Sequence, residues 1–305
     1  MTLLWVEIRR ILARRIVLGA GILVLAAIVV AGIVVFVRSP RLSPAELQAR
    51  TEQARIQQEA QMDFCLRQIS PEEIPPGMTI EEFCRQFGSG EVFEEDPRFH
   101  LTAVRAVLNG TSGFLIALLL VLGASFIGAE WHAGTMATLL TWEPRRLRVF
   151  GAKALAAGLF ALAAFLIVQA LLAAALVPAA VLRGTTEGAD VAWLGSTFRL
   201  QLRAAIVASL AAAIGLSLAS IGRNTAMALG AGFVYFSILE PFMRAVRPRW
   251  ESWFLTNNIV RFIVGDTGGF TLESRSTVEA GLLVAAYTFG LLLVALGLFR
   301  RRDVT

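Results

Sequence analysis

Polar residues are almost absent from six stretches of this chain, at 16–37, 108–129, 154–182, 204–222, 225–243 and 278–299. An apolar helix of about 20 residues crosses the ~30 Å hydrocarbon core of a bilayer. The runs are continuous rather than alternating, so they predict helices and not the strands of a barrel. The fourth and fifth are parted only by Gly222-Arg223-Asn224. The first is too long for the core of a secretory signal, and no small-x-small site follows Val37, so it reads as an uncleaved anchor. The fold class is therefore an all-α membrane protein with six transmembrane helices.

The intervening segments carry their own patterns. In residues 1–15, Leu4, Trp5, Ile8, Ile11 and Leu12 fall on one helical face and Glu7, Arg10 and Arg14 on the other. That predicts an amphipathic helix lying at the membrane interface. Residues 38–107 form a polar, helical extracytoplasmic insert. Ser43-Pro44-Ala45-Glu46 combines an N-cap, a proline at the first helical position and a capping box, and predicts a helix from about 44 to 70. Pro71, Pro75 and Pro76 end it, and Thr79-Ile80-Glu81-Glu82 opens a second, short helix to about Phe87. Cys65 and Cys84, the only two cysteines, fall one in each helix, on the oxidising side, and are expected to form a disulfide. Residues 244–277 make an outer loop that mixes Pro248, Trp250, Trp253, Phe254 and Phe262 with Arg247, Arg249 and Arg261. Such a mixture suits the headgroup region, as short re-entrant helices.

Charge orients the chain. Arg9, Arg10, Arg14 and Arg15 precede the first run; Arg145, Arg146, Arg148 and Lys153 lie between the second and third; Arg223 separates the fourth and fifth; Arg300, Arg301 and Arg302 follow the sixth. With six spans these all fall on one side, which the positive-inside rule makes cytoplasmic, together with both termini. The expected location is the plasma (inner) membrane. The net charge of +5 is accounted for by topology, with no need of nucleic acid. Inside the spans, polar groups are few. Glu240 is either a functional carboxylate or one paired at the interface with Arg244, four residues on. Gln169 suits a hydrogen bond between helices. Small residues recur at four-residue spacing in Ala211, Gly215 and Ala219, in Ala228 and Gly232, and in Ala226 and Gly230, a pattern that admits close helix contact. An interior without rows of charge fits an amphipathic, drug-like or lipid-like cargo better than an ion. No catalytic constellation or metal set can be assembled on one side of the membrane, so no enzyme activity, cofactor or metal is assigned to this chain.

The segment 130–153 is more elaborate than a turn requires. It opens Gly128-Ala-Glu130-Trp-His-Ala-Gly134-Thr135 and closes Glu143-Pro144-Arg145-Arg146. Gly134 provides a tight turn, Thr135 is placed to cap a short helix, and Pro144 stops it. Met136, Leu139 and Leu140 share one apolar face, which lipid or a partner groove must cover. The chain's only lysine, Lys153, follows Ala152, whereas a P-loop needs a Gly-Lys pair. ATP-driven work would therefore need another polypeptide.

The run Gly128-x-Glu130-Trp131-x-x-Gly134-Thr135-x-x-x-Leu139-Leu140-x-x-x-Pro144-x-Arg146, with Lys153 beyond it, resembles the signature of type-2 ATP-binding-cassette (ABC) permeases. The order of parts resembles them too, though the 38–107 insert is longer than in the simplest drug-export members. The resemblance implies a permease subunit of an exporter that pairs with a second permease subunit, expected to be identical, and sits in membrane lipid. A separate ATPase subunit would bind ATP and Mg and receive a coupling helix. Glu130, Gly134, Thr135, Met136, Leu139, Leu140, Glu143, Pro144, Arg145 and Arg146 are the expected contacts with that ATPase. The alternative reading is a membrane-anchored scaffold or sensor whose insert binds an external ligand.

Overall fold

The computed structural model describes residues 3–69, 79–87, 98–265 and 275–301, and the described residues are helical almost throughout. In chain order the helices are α1 (Leu3–Leu12), α2 (Arg15–Arg38), α3 (Pro44–Gln68), α4 (Ile80–Phe87), α5 (Val104–His132), α6 (Thr135–Trp142), α7 (Arg146–Arg183), α8 (Val191–Gly222), α9 (Thr225–Val234), α10 (Glu240–Val246), α11 (Leu255–Val264) and α12 (Thr277–Arg301). Six are long and apolar enough to cross a membrane: α2, α5 with the short turn before it, α7, α8, α9 continued through α10, and α12.

The chain divides into two compact units, the larger made of residues 1–30, 102–175 and 188–305. Its centre is the pair α5 and α8, the most buried spans, while α2 and α9–α10 are the most exposed. The close approach of α5 and α8 has a simple cause. Gly215 lies against the Leu120 carbonyl and Gly123 against that of Ala212, so a Cβ at either position would collide with backbone. Ala211 and Ala219, on the same stripe as Gly215, are buried as well. The stripe in α8 is thus spent on packing inside one chain. Ala226 and Gly230 of α9 are exposed, whereas Ala228 is fully buried.

Local chemistry sets the helix ends. Asp190 caps α8 by accepting from the Trp193 N–H at 2.7 Å. Arg223 closes α8 in a left-handed conformation, φ 54°, and the Asn224 side chain accepts from the Ala226 N–H to start α9. Both α7 and α8 run beyond the apolar stretches read in the sequence. α7 begins in its basic turn at Arg146, and α8 begins at Val191, because a capped helix can carry polar residues outside the hydrocarbon layer. Between α9 and α10, residues Tyr235–Leu239 form a π turn, the Glu240 N–H reaching back to the Tyr235 carbonyl.

The smaller unit comprises residues 31–101 and 176–187. Ser43 and Glu46 form the reciprocal capping box at the start of α3. Thr79 and Glu82 make the equivalent bonds at α4, with the Thr79 N–H and hydroxyl both 3.1 Å from Glu82 Oε2. Cys65 and Cys84 are joined by a disulfide that fixes α4 to the end of α3. By chain entropy, closing a loop with a sequence separation of 19 is worth about 3 kcal/mol. Pro71, Pro75 and Pro76 lie outside the described residues. Phe99–Leu101 returns beside Thr185 through two backbone hydrogen bonds, and the Arg183 guanidinium stacks 4.1 Å from the Phe36 ring.

Candidate functional site: a buried ionic cluster beneath the short helix α6

Four helices meet at the basic end of the larger unit. Lys153, in the early turns of α7, is completely buried, and its Nζ donates to Glu7 Oε2 and Glu130 Oε1, each at 2.9 Å. The ammonium also lies 4.6 Å from the Phe126 ring centre. Arg14, at the junction of α1 and α2, donates to the carbonyls of Ser125 and Phe126 at 2.8 Å each and to Glu130 Oε1 at 3.3 Å. Its guanidinium stands 5.0 Å over the same Phe126 ring. Burial pushes the Arg14 pKa down, against the pull of the Glu130 and Glu7 carboxylates, yet a guanidinium remains charged at any physiological pH. Arg10 closes the set with a 3.3 Å bond to Glu7. A charge this deeply buried is tolerable only when paired. Here two carboxylates and two inward cations balance one another across α1, α5 and α7.

The polar face of α1 is not turned uniformly to water. Glu7 is buried and Arg14 turns inward, while Trp5 and Leu12 of the apolar face are exposed. Ile11 is buried and Leu4 and Ile8 pack against the core, so α1 contributes to it from its apolar face while the buried Lys153 draws Glu7 inward as well. Sequence reasoning placed Glu130 and Lys153 in one motif but missed Glu7 and Arg14 as their partners. The available signal was the single lysine among so many arginines.

α6 sits beside this cluster. Gly134, with φ 68°, supplies the left-handed turn out of α5. The cap position is Gly134 rather than Thr135, which is the first helical residue and whose hydroxyl donates to the Glu130 carbonyl. The apolar face of α6 points inward. Met136 is 1% exposed, and Leu139 and Leu140 pack against a core containing Ile11, Phe126, Phe150 and Phe299. It is this chain's own core, not lipid or a partner groove, that covers Met136. Thr135, Thr138, Thr141 and Trp142 face outward, Trp142 at 86% exposure. Glu143 is extended before Pro144, and Arg145 and Arg148 are exposed. Arg146 instead turns to α12, where its Nη1 donates to the carbonyls of Phe299 and Arg300 at 3.1 Å each. Trp131 meets Phe299 edge-on at 6.1 Å and carries the Arg223 guanidinium at 5.0 Å.

The profile of a family described as "ABC-2 family transporter protein" matches residues 1–252. The chain belongs to that family. No curated protein matches it closely. In this permease, then, the ionic cluster and α6 lie within the matched region, and so does the first part of the loop after α9–α10.

A second polar group, around Glu240, lies at the opposite end of the fifth span from Asn224. Glu240 is buried and accepts from Arg244 Nη2 at 3.1 Å and from the Thr256 hydroxyl at 2.9 Å. Arg244 also bonds Glu251 and Asn257, and the Leu255 N–H donates to the Tyr235 hydroxyl. The segment after α10 consists of a 3-10 turn, Pro248–Trp253, and α11. Gln169 of α7 donates to the Leu108 carbonyl and the Ser112 hydroxyl of α5, both at 3.0 Å.

Proposed function

We propose that the permease is the membrane subunit of an exporter for an amphipathic, drug-like or lipid-like substrate, working with a second permease subunit, expected to be identical, and with separate ATPase subunits that bind ATP and Mg. The observation that carries this reading is the two-sided build of α6. Met136, Leu139 and Leu140 root it in the bundle, Thr138 and Trp142 project from it, and the exposed Arg145 follows just beyond Pro144. A helix needed only as a turn has no use for an exposed tryptophan beside a basic cluster; a coupling helix has, because exposed aromatics and arginines are the residues that anchor interfaces. The positive-inside rule supports a cytoplasmic position for this end of the bundle.

The ionic cluster gives the coupling a route. A push on α6 acts on the end of α5 and the start of α7, the elements it joins. Lys153 ties α7 to Glu7 of α1 and to Glu130 of α5, Arg14 ties the start of α2 to α5, and Arg146 ties α7 to α12. The inner ends of these helices therefore shift as one block. A rigid-body displacement of that kind is how a local binding event is converted into a change of access. The spans carry no row of charges such as an ion pathway needs, which supports a lipid-like cargo over an ion.

The test is reconstitution with the ATPase. Substituting Leu139 and Leu140 by Asp would dismantle α6 itself, so the informative change is on the outward side. In the reading proposed, Trp142→Ala with Thr138→Arg abolishes stimulation of the ATPase by the permease and leaves the permease folded. Full stimulation in that double variant would refute it.

A further inference from the structure

A cavity of about 690 Å³ opens in the larger unit among α1, α2, α5 and α7, and every residue lining it is apolar. Its lining includes small residues of both helices, Ala20 and Gly21 on the α2 wall and Ala163 and Ala164 on the α7 wall. Among the described residues no side chain fills the space. The cavity starts at Ile8 and Leu12 and ends at Ile28, Leu115 and Leu171. Along α2, Val17 to Ile28 rises about 17 Å at 1.5 Å per residue, close to half the ~30 Å hydrocarbon core. The groove is one leaflet deep. Its mouth is bordered in the chain by Arg9 and Arg15, both exposed.

We propose that this groove holds an acyl chain of an anionic phospholipid from the leaflet at the basic end of the bundle, with the phosphate facing Arg9 and Arg15. Calling that leaflet cytoplasmic rests on the orientation given under Proposed function; the binding itself does not. Three observations converge on a lipid: a lining of apolar residues alone, a depth of one leaflet, and two exposed arginines, Arg9 and Arg15, that flank in sequence the lining residues Ile8 and Leu12 where the groove starts. A second copy of the chain fits less well. In a parallel two-fold pair it would bring its own Arg9 and Arg15 to the same level, opposing like charges instead of matching opposite ones.

Native mass spectrometry of the permease alone, after exchange into detergent with equal amounts of dioleoylphosphatidylglycerol and dioleoylphosphatidylcholine, tests this. The wild type should retain phosphatidylglycerol in preference. Gly21→Trp should lose the bound lipid; nothing lies within 4 Å of a Cβ added there, so the first carbon of the new side chain meets no backbone. Ala163→Trp, filling the groove from the facing wall, should do the same, and a thermal midpoint like that of the wild type certifies each variant as folded. Arg9→Gln and Arg15→Gln should keep lipid but lower the preference for the anionic one about five-fold each. Equal retention of the two lipids by the wild type overturns the proposal, as does unchanged retention in both tryptophan variants. A wild type free of lipid, whose dimer mass disappears with Gly21→Trp, overturns it in favour of a second copy in the groove. No ATPase, nucleotide or cargo is present, so failure here is distinct from failure of the transport reading.

Discussion

Lys153 and Glu7 are separated by 146 residues in the chain and by 2.9 Å in space, and both are buried. A compact ammonium, unlike a guanidinium, can sit between two carboxylates and under an aromatic ring in a small volume. Removing it leaves Glu7 and Glu130 facing each other without their shared cation. Lys153→Met should cost about 3–5 kcal/mol, read as a lowered thermal midpoint of the purified permease. Lys153→Arg should be nearly as damaging. Combining Lys153→Met with Glu7→Leu should recover most of the loss, since Glu130 retains Arg14. A single variant as stable as the wild type would mean the pair carries nothing.

The two sides of α6 should separate in experiment. Met136→Ala opens a cavity in the core and should destabilise by about 2–5 kcal/mol. Trp142→Ala removes only an exposed ring and should leave the thermal midpoint unchanged while weakening capture of the ATPase in co-purification. A loss of stability with Trp142→Ala, or none with Met136→Ala, would reverse the assignment of the faces.

These sites show how far the sequence reaches. The six spans were legible because a run without charge leaves few alternatives in a chain of this composition. The limits of α6 were legible as well, through Gly134 and Pro144, whose backbone preferences are local. Its facing was not. Met136, Leu139 and Leu140 share a face by periodicity, but periodicity cannot say whether that face meets the chain's own core or a partner. The Glu7–Lys153 pairing was hidden for a related reason: an ion pair between residues so distant leaves no repeat, and Glu7 in isolation reads as a solvated residue. Likewise, the stripe of Gly215 announced a close contact without naming α5 as the neighbour.

That contact is itself testable. Gly215→Val should force α5 and α8 apart, because the new side chain meets the Leu120 carbonyl and the Ala124 N–H, which cannot yield without moving the helix. Marked loss of folded permease on size-exclusion chromatography is expected. Gly230→Ala, where nothing lies within 4 Å, should be neutral as the matched control.

The insert should respond to acid at its caps. The Ser43 N–H and hydroxyl hold the Glu46 carboxyl below its ordinary value of 4.5, and those of Thr79 do the same for Glu82. The folded state thus prefers the ionised form, so the caps contribute fully above about pH 4.5 and are lost as pH falls through the lower, folded values. Hydrogen exchange at the first-turn amides of α3 and α4, corrected for its intrinsic pH dependence, should accelerate across that window. Glu46→Gln should remove the acid response at α3 alone. An unaltered pH profile in that variant would contradict the assignment.

The π turn at Tyr235–Leu239 gives the fifth span one residue more than α-helical winding can absorb. Each residue of an α-helix turns about 100°, and the π turn takes up the extra residue locally, so Glu240 and Arg244 keep the azimuth at which they meet Thr256 and Asn257. A one-residue deletion inside the π turn is thereby absorbed, whereas the same deletion elsewhere in the span would turn both side chains by about 100°. Alignments with other permeases should therefore be allowed a one-residue gap at this point.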